Sequence, residues 1–168
     1  MAGITTLYGD VAVTGLLTAN DFSAPAGSLT NAMIVASAGI EATKLEHQYK
    51  LVYAQESATT AADEARVIHA VYGQTGDVIR FECGCVVANI GDSTVTFDLK
   101  KNGTSILTAP AEVNSTHAAR ELVAGTLTPT VPTLAADDVL EVVINATAGT
   151  GTLGKGAFCR AIIREDAT

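Results

Sequence analysis

The run GTGTLGKG at residues 149–156 carries the spacing GxxxxGK, in which clustered backbone N–H groups cradle phosphate and the lysine reaches it. The next position should supply a Ser or Thr hydroxyl for Mg²⁺, and here it is Gly156. A nucleotide loop also needs a helix behind it, whereas the following AFCRAIIRE alternates as a strand does. The expectation is a glycine-rich turn between two strands, with Lys155 a solvated turn charge. In CGC, the thiols of Cys83 and Cys85 share one face of a regular strand, and a third lies at Cys159. Zn²⁺ wants a full tetrahedral set, but there are three cysteines, and His47, His69 and His117 are far apart in sequence. CxC also lacks the CxxC spacing of a thioredoxin-like pair. The cysteines are read as core residues.

Other reactive side chains form no constellation. Ser28, Ser37, Ser57, Ser93, Ser105 and Ser115 occur without a nucleophile elbow. His117, near Arg120 and Glu121, suits a polar surface, and His69 a buried position beside a hydrogen-bond partner. Asp137, Asp138 and Glu141 lie in DDVLE, which lacks the oxygen-ligand spacing of an EF-hand and reads as a charged turn leading into a strand. Arg80, Lys100, Lys101 and Arg120 do not join the four Tyr and four Phe into a basic-aromatic platform. No catalytic, cofactor-binding or metal-ligating residue is assigned.

The elements that would position these groups are mostly strands. With 168 residues, 48% of them apolar, the chain can build one sizeable core. Ten basic and eighteen acidic residues give a formal charge of -8, which disfavours a broad nucleic-acid surface and favours solubility. The amino-terminal MAGITTLYGDVAVTG has neither the basic segment nor the apolar run of a secretory signal, and no stretch of about 20 apolar residues follows to span a membrane. Three cysteines fit a reduced assembly environment better than a disulfide scaffold.

Residues 1–47 read as an extended arm or oligomerisation segment. An apolar series from Ile4 and Leu7 runs through Val11, Val13 and Leu16, with turn formers at Gly15 and around Pro25 and Gly27. Ile40 to His47 is the place for one short helix, which would need packing to hold it. Residues 48–168 read as an all-β body, a β-sandwich of jelly-roll connectivity. Strands are expected at KLVYAQ, at residues 65–72 (with a short helix as the alternative), over VIRFECGCVVANI, near 120–127, and at 139–146 and 157–164. In VIRFECGCVVANI, Ile79, Phe81, Cys83, Cys85 and Val87 would share one face, Arg80 and Glu82 the other, with a bulge permitted at Gly84. TVTFDLKKNGTSILTA is the clearest feature. Asn102 and Gly103 tolerate the positive φ angles of a type I′ turn, and Lys101 opposite Thr104 sets Leu99 against Ile106 and Phe97 against Thr108.

The segments TVTFDLKKNGTSILTAP and LAADDVLEVVINATAGTGTLGKGAF, together with GDVAVTGLLTANDFSAP and AGIEATKLEHQ in the arm, resemble β-rich virion proteins of tailed phages, especially head-decoration (cement) proteins. The resemblance covers most of the chain and extends to fibre and baseplate domains. It implies a noncatalytic jelly-roll protein on the outer surface of the capsid, assembled in the host cytoplasm. It also implies that the protein binds the major capsid protein and itself as a homotrimer, and it carries over no catalytic residues, cofactor, nucleic-acid or membrane partner. The alternative it leaves open is a tail or baseplate attachment domain that binds a receptor or carbohydrate. A trimer of arms would bury Val11, Val13, Leu16 and Leu17.

Overall fold

The computed structural model describes residues 47–73, 75–129 and 132–166, all within the compact unit Ile40–Thr168. Among them are ten strands and no helix: β1 His47–Ala54, β2 Glu64–Ala70, β3 Gly76–Val87, β4 Thr94–Lys101, β5 Thr104–Ser105, β6 Ala111–Val113, β7 Val123–Gly125, β8 Thr133–Leu134, β9 Val139–Thr147 and β10 Lys155–Glu165. The chain is an all-β sandwich of two antiparallel sheets. Sheet A runs β1-β10-β3-β7, with β8 also on β3, and sheet B runs β2-β9-β4-β5, with β6 also on β4.

Apart from the two-residue β5 and β8, the strands pair first with last: β1 with β10, β2 with β9, β3 with β7 and β4 with β6. The chain is thus one long hairpin whose successive rungs fall alternately into the two sheets, and the β10–β3 and β9–β4 ladders join rungs within a sheet. This is the strand order of a jelly roll. The expectations for residues 1–46, including the arm, the helix from Ile40 and the trimer contacts of Val11, Val13, Leu16 and Leu17, lie outside the described residues. His47, the last residue expected in the arm and in that helix, pairs with Glu165 as the first residue of β1.

The two-residue period puts one row of each strand inside. Phe97, Leu99, Leu140, Val142 and Ile144 of sheet B are buried against Phe81, Cys83, Cys85, Cys159, Ala161 and Ile163 of sheet A. Large side chains on one sheet meet mostly small ones on the other, which lets two pleated surfaces fill the space without voids. Each fully buried Phe or Leu contributes about 2 kcal/mol of transfer free energy.

The hairpin turn forms as expected: Asn102 has φ 49° and Gly103 φ 81°, Lys101 faces Thr104, and the Ile106 N–H donates to the Leu99 carbonyl at 2.9 Å. Beyond it the expected register fails, for Phe97 faces Ala111 and not Thr108. The chain leaves β4 at Leu107, which bridges Leu127, and Pro110, with no N–H to donate, precedes the return at β6. The bulge expected at Gly84 lies elsewhere. Gly84 sits in regular register opposite Phe158, and the ladder slips between Ile162 and Ile163, leaving Ile79 as the extra residue. Val78 is consequently buried while Ile79 and Val87 are exposed, so the inward row is Val78, Phe81, Cys83 and Cys85. The strand expected near 120–127 contracts to β7, because Arg120 adopts φ 64° and residues 118–122 turn.

Candidate functional site

The sequence-singled groups come to rest in separate places, each closed by its own partners. In the run 149–156, the carboxylate of Asp92 accepts the Thr150 N–H at 2.8 Å and the Thr150 hydroxyl at 3.2 Å. The anion at the loop's amides is therefore a side chain of the protein. Lys155 opens strand β10, so a strand follows where a phosphate loop needs a helix.

The three thiols lie free in the core. Burial pushes Cys83 far above the ordinary thiol range, Cys159 up to about 12 and Cys85 up to about 11. They stay protonated at neutral pH, whereas the thiolate is the reactive form. Among the described residues no group of three or more His, Cys, Asp and Glu converges on a point that would hold a metal. The histidines are scattered: His47 meets Tyr49 edge-on, His69 lies in β2, and His117 Nδ1 accepts the Asn114 N–H at 3.2 Å. Ser93 is buried and donates to the carbonyls of Ile90 and Thr152. Asp138 is a turn fastener, accepting from the Ala135 N–H at 2.8 Å and the Asn102 amide at 2.6 Å, and those contacts, Ala135 foremost, hold its carboxyl below the usual range. Glu141 lies in β9, three residues on.

Two clusters that sequence reading did not single out are more telling. The first is at the corner where β1 hands over to β2. The Tyr53 hydroxyl donates to Glu64 Oε2, Gln55 Nε2 donates to the same oxygen at 3.0 Å, and Arg66 Nε donates to Oε1 at 2.6 Å. Gln55 is fixed in turn by the N–H and carbonyl of Ala62. Three donors, Tyr53 foremost, bring the Glu64 carboxyl down to about 2. Beside them opens a cleft of about 420 Å³, lined also by Glu56, Thr59 and Thr60.

The second cluster is the outward face of sheet A. Cross-strand register aligns Val52, Arg160, Glu82 and Ala124 in one row, Lys50, Ile162 and Arg80 in the next, and Ala54, Phe158 and Gly84 in a third. Glu82 is only 3% exposed although it points away from the core. Arg160 Nε reaches its Oε2 at 2.5 Å and Arg80 Nη2 its Oε1 at 2.6 Å, and this pairing, with Arg160 the larger influence, holds its carboxyl below the usual range. Along the same face Arg164 Nη2 bonds Asp77 at 2.6 Å. In the row of these ions Val52 stands in solvent, 68% exposed. Alternation had placed Arg80 and Glu82 on this face. Arg160 lies 78 residues further along the chain, and no local signal joins it to them. The face thus sets guanidinium groups held by a buried carboxylate beside an exposed aliphatic side chain.

No protein-family model matches the chain, and no curated protein matches it.

Proposed function

We propose that this protein is a noncatalytic decoration protein of a tailed-phage head, which binds the major capsid protein on the outer surface of the shell, as a homotrimer, after assembly in the host cytoplasm. The observation that carries the binding part is the outward face of sheet A, where two arginines are held by a buried carboxylate beside an exposed aliphatic side chain. Three carboxylates elsewhere are satisfied within the fold: Asp92 by Thr150, Glu64 by Tyr53 and Arg66, Asp138 by Asn102. The virion context rests on the resemblance of TVTFDLKKNGTSILTAP and LAADDVLEVVINATAGTGTLGKGAF to decoration proteins, and the jelly-roll order agrees with that resemblance. Labelling the protein in intact particles and locating the label by electron cryomicroscopy tests the reading. Regular placement over the head, in clusters of three, is the expected result, and label on the tail alone would sink it.

One observation favours the second reading, a tail or baseplate domain that binds carbohydrate. The cleft beside Glu64 presents a tyrosine ring, carboxylates and threonine hydroxyls, the groups that hold a sugar's face and hydroxyls.

A further inference from the structure

The cations of this acidic chain are unevenly placed. Alternation from the inward rows puts Lys50, Arg80, Arg160 and Arg164 on the outward face of sheet A together with two carboxylates, Asp77 and Glu82. Counted over the strands alone, that face carries two net positive charges on a chain of formal charge -8. The outward face of sheet B has the opposite balance, with Asp98, Glu112 and Glu141 against Lys100.

We infer that the outward face of sheet A is the docking surface for a carboxylate-bearing protein surface, an inference that rests on reading the protein as a binding component of an assembly. Glu82 takes one nitrogen from each arginine, Nε of Arg160 and Nη2 of Arg80. The Arg160 and Arg80 side chains are 36% and 58% exposed, so each still meets solvent beyond its contact with Glu82. Because the guanidinium planes are already fixed, an incoming carboxylate meets donors whose ordering is complete before it arrives. Val52, Ile162 and Phe158 supply the apolar part, and arginine among aliphatics and aromatics is the composition of a protein interface.

Two other occupants fit less well. A nucleic-acid backbone is held by dense cationic charge, and here two net charges are separated by aliphatics on a chain that repels phosphate elsewhere. A second copy would have to offer the acidic face of sheet B. The two outward faces lie on opposite sides of the sandwich, so such stacking repeats without closing. The occupant that ends the association is a different protein.

The test titrates ¹⁵N-labelled full-length protein with a synthetic peptide of alternating glutamate and leucine. The inference expects shift changes concentrated on Lys50, Val52, Arg80, Arg160 and Ile162. It also expects at least tenfold weaker binding by the double variant Lys50→Glu/Val52→Asp, whose two side chains are exposed, with an unchanged melting temperature. Val67→Asp, at a position 61% exposed on the other sheet, should bind as wild type does. Failure of the wild type to bind, shifts confined to sheet B, or equal affinity of the double variant would overturn the inference. So would an oligodeoxythymidine that occupies the same residues more tightly than the peptide. Binding of the wild type to empty heads is measured separately and decides the decoration reading alone.

Discussion

On the outward face of sheet A, Glu82 is 3% exposed between two arginines. On the outward face of sheet B, Glu141 stands half-buried opposite Lys100, and the neighbouring Asp98 accepts the Ser105 hydroxyl. Both faces come from the same two-residue period, and both place a carboxylate near a cation from the adjacent strand. The difference lies in what surrounds the carboxylate. β3 of sheet A and β9 of sheet B are each flanked on both sides, but in sheet A the segment before β7 also closes on β3, with the Arg120 N–H donating to the Cys85 carbonyl at 2.8 Å and the Glu121 carbonyl oxygen over Gly84. A carboxylate shielded in this way needs two guanidinium partners to stay charged. The acids of sheet B keep their hydration and need none. Whether a carboxylate on a sheet surface is tied into ion pairs thus follows the backbone that covers it.

The largest expected effect tests that cover. A Cβ at Gly84 would lie 2.3 Å from the Glu121 carbonyl oxygen and 2.8 Å from the Phe158 ring. Gly84→Ala should therefore destabilise the protein by about 3 kcal/mol in urea unfolding, while Thr96→Ala, on the outward face of sheet B, should change stability by no more than about 0.5 kcal/mol. Similar losses at the two positions would mean that the two faces are equally open.

Next comes the ion pair itself. Arg160→Ala leaves Glu82 with one partner, and because Arg160 is itself 36% exposed, the full penalty of an unpaired buried charge is not reached. A loss of about 2 kcal/mol is expected, against about 0.5 kcal/mol for Glu141→Ala. Thermal and urea unfolding of both variants give the comparison directly, and a smaller loss for Arg160→Ala than for Glu141→Ala would reverse it.

A pH-dependent effect belongs to the corner that joins the sheets. Glu64 is held at about 2 in the folded chain, below its ordinary 4.5, so its contribution to stability is fully present above about pH 4.5 and is lost as the pH falls toward 2. The difference in urea midpoint between wild type and Glu64→Gln should be constant from pH 7 to pH 5 and shrink below that. A difference that does not vary with pH would show that the charge of Glu64 is not what secures the corner.

The hairpin at Asn102 and Gly103 was legible because its chemistry is local: two residues tolerate positive φ, and the first pairs follow from the turn. The register beyond Leu107 was not, since it depends on Leu127, a distant partner. Ile79 shows the same limit. Val78 and Ile79 are both β-branched and apolar, so alternation cannot say which turns inward, and the slip against β10 decides. The sandwich itself was readable from turn spacing and alternation. Of the candidate site, the shared face of Arg80 and Glu82 was readable, while Arg160, and the burial of Glu82 with it, required the pairing of β3 with β10.

That pairing has a consequence for the order of folding. β10 follows every other described strand in the chain, yet it lies between β1 and β3 in sheet A. Without residues 155–165, β1 loses its only ladder among the described residues and β3 its longest, whereas the β9–β4 ladder of sheet B keeps both partners. Sheet A therefore depends on contacts of high sequence separation, which form slowly. Until they form, the inward row of sheet B, with Phe97, Leu99 and Ile144, lacks its cover. A chain truncated before residue 155 would offer that row to chaperones that bind exposed apolar strands.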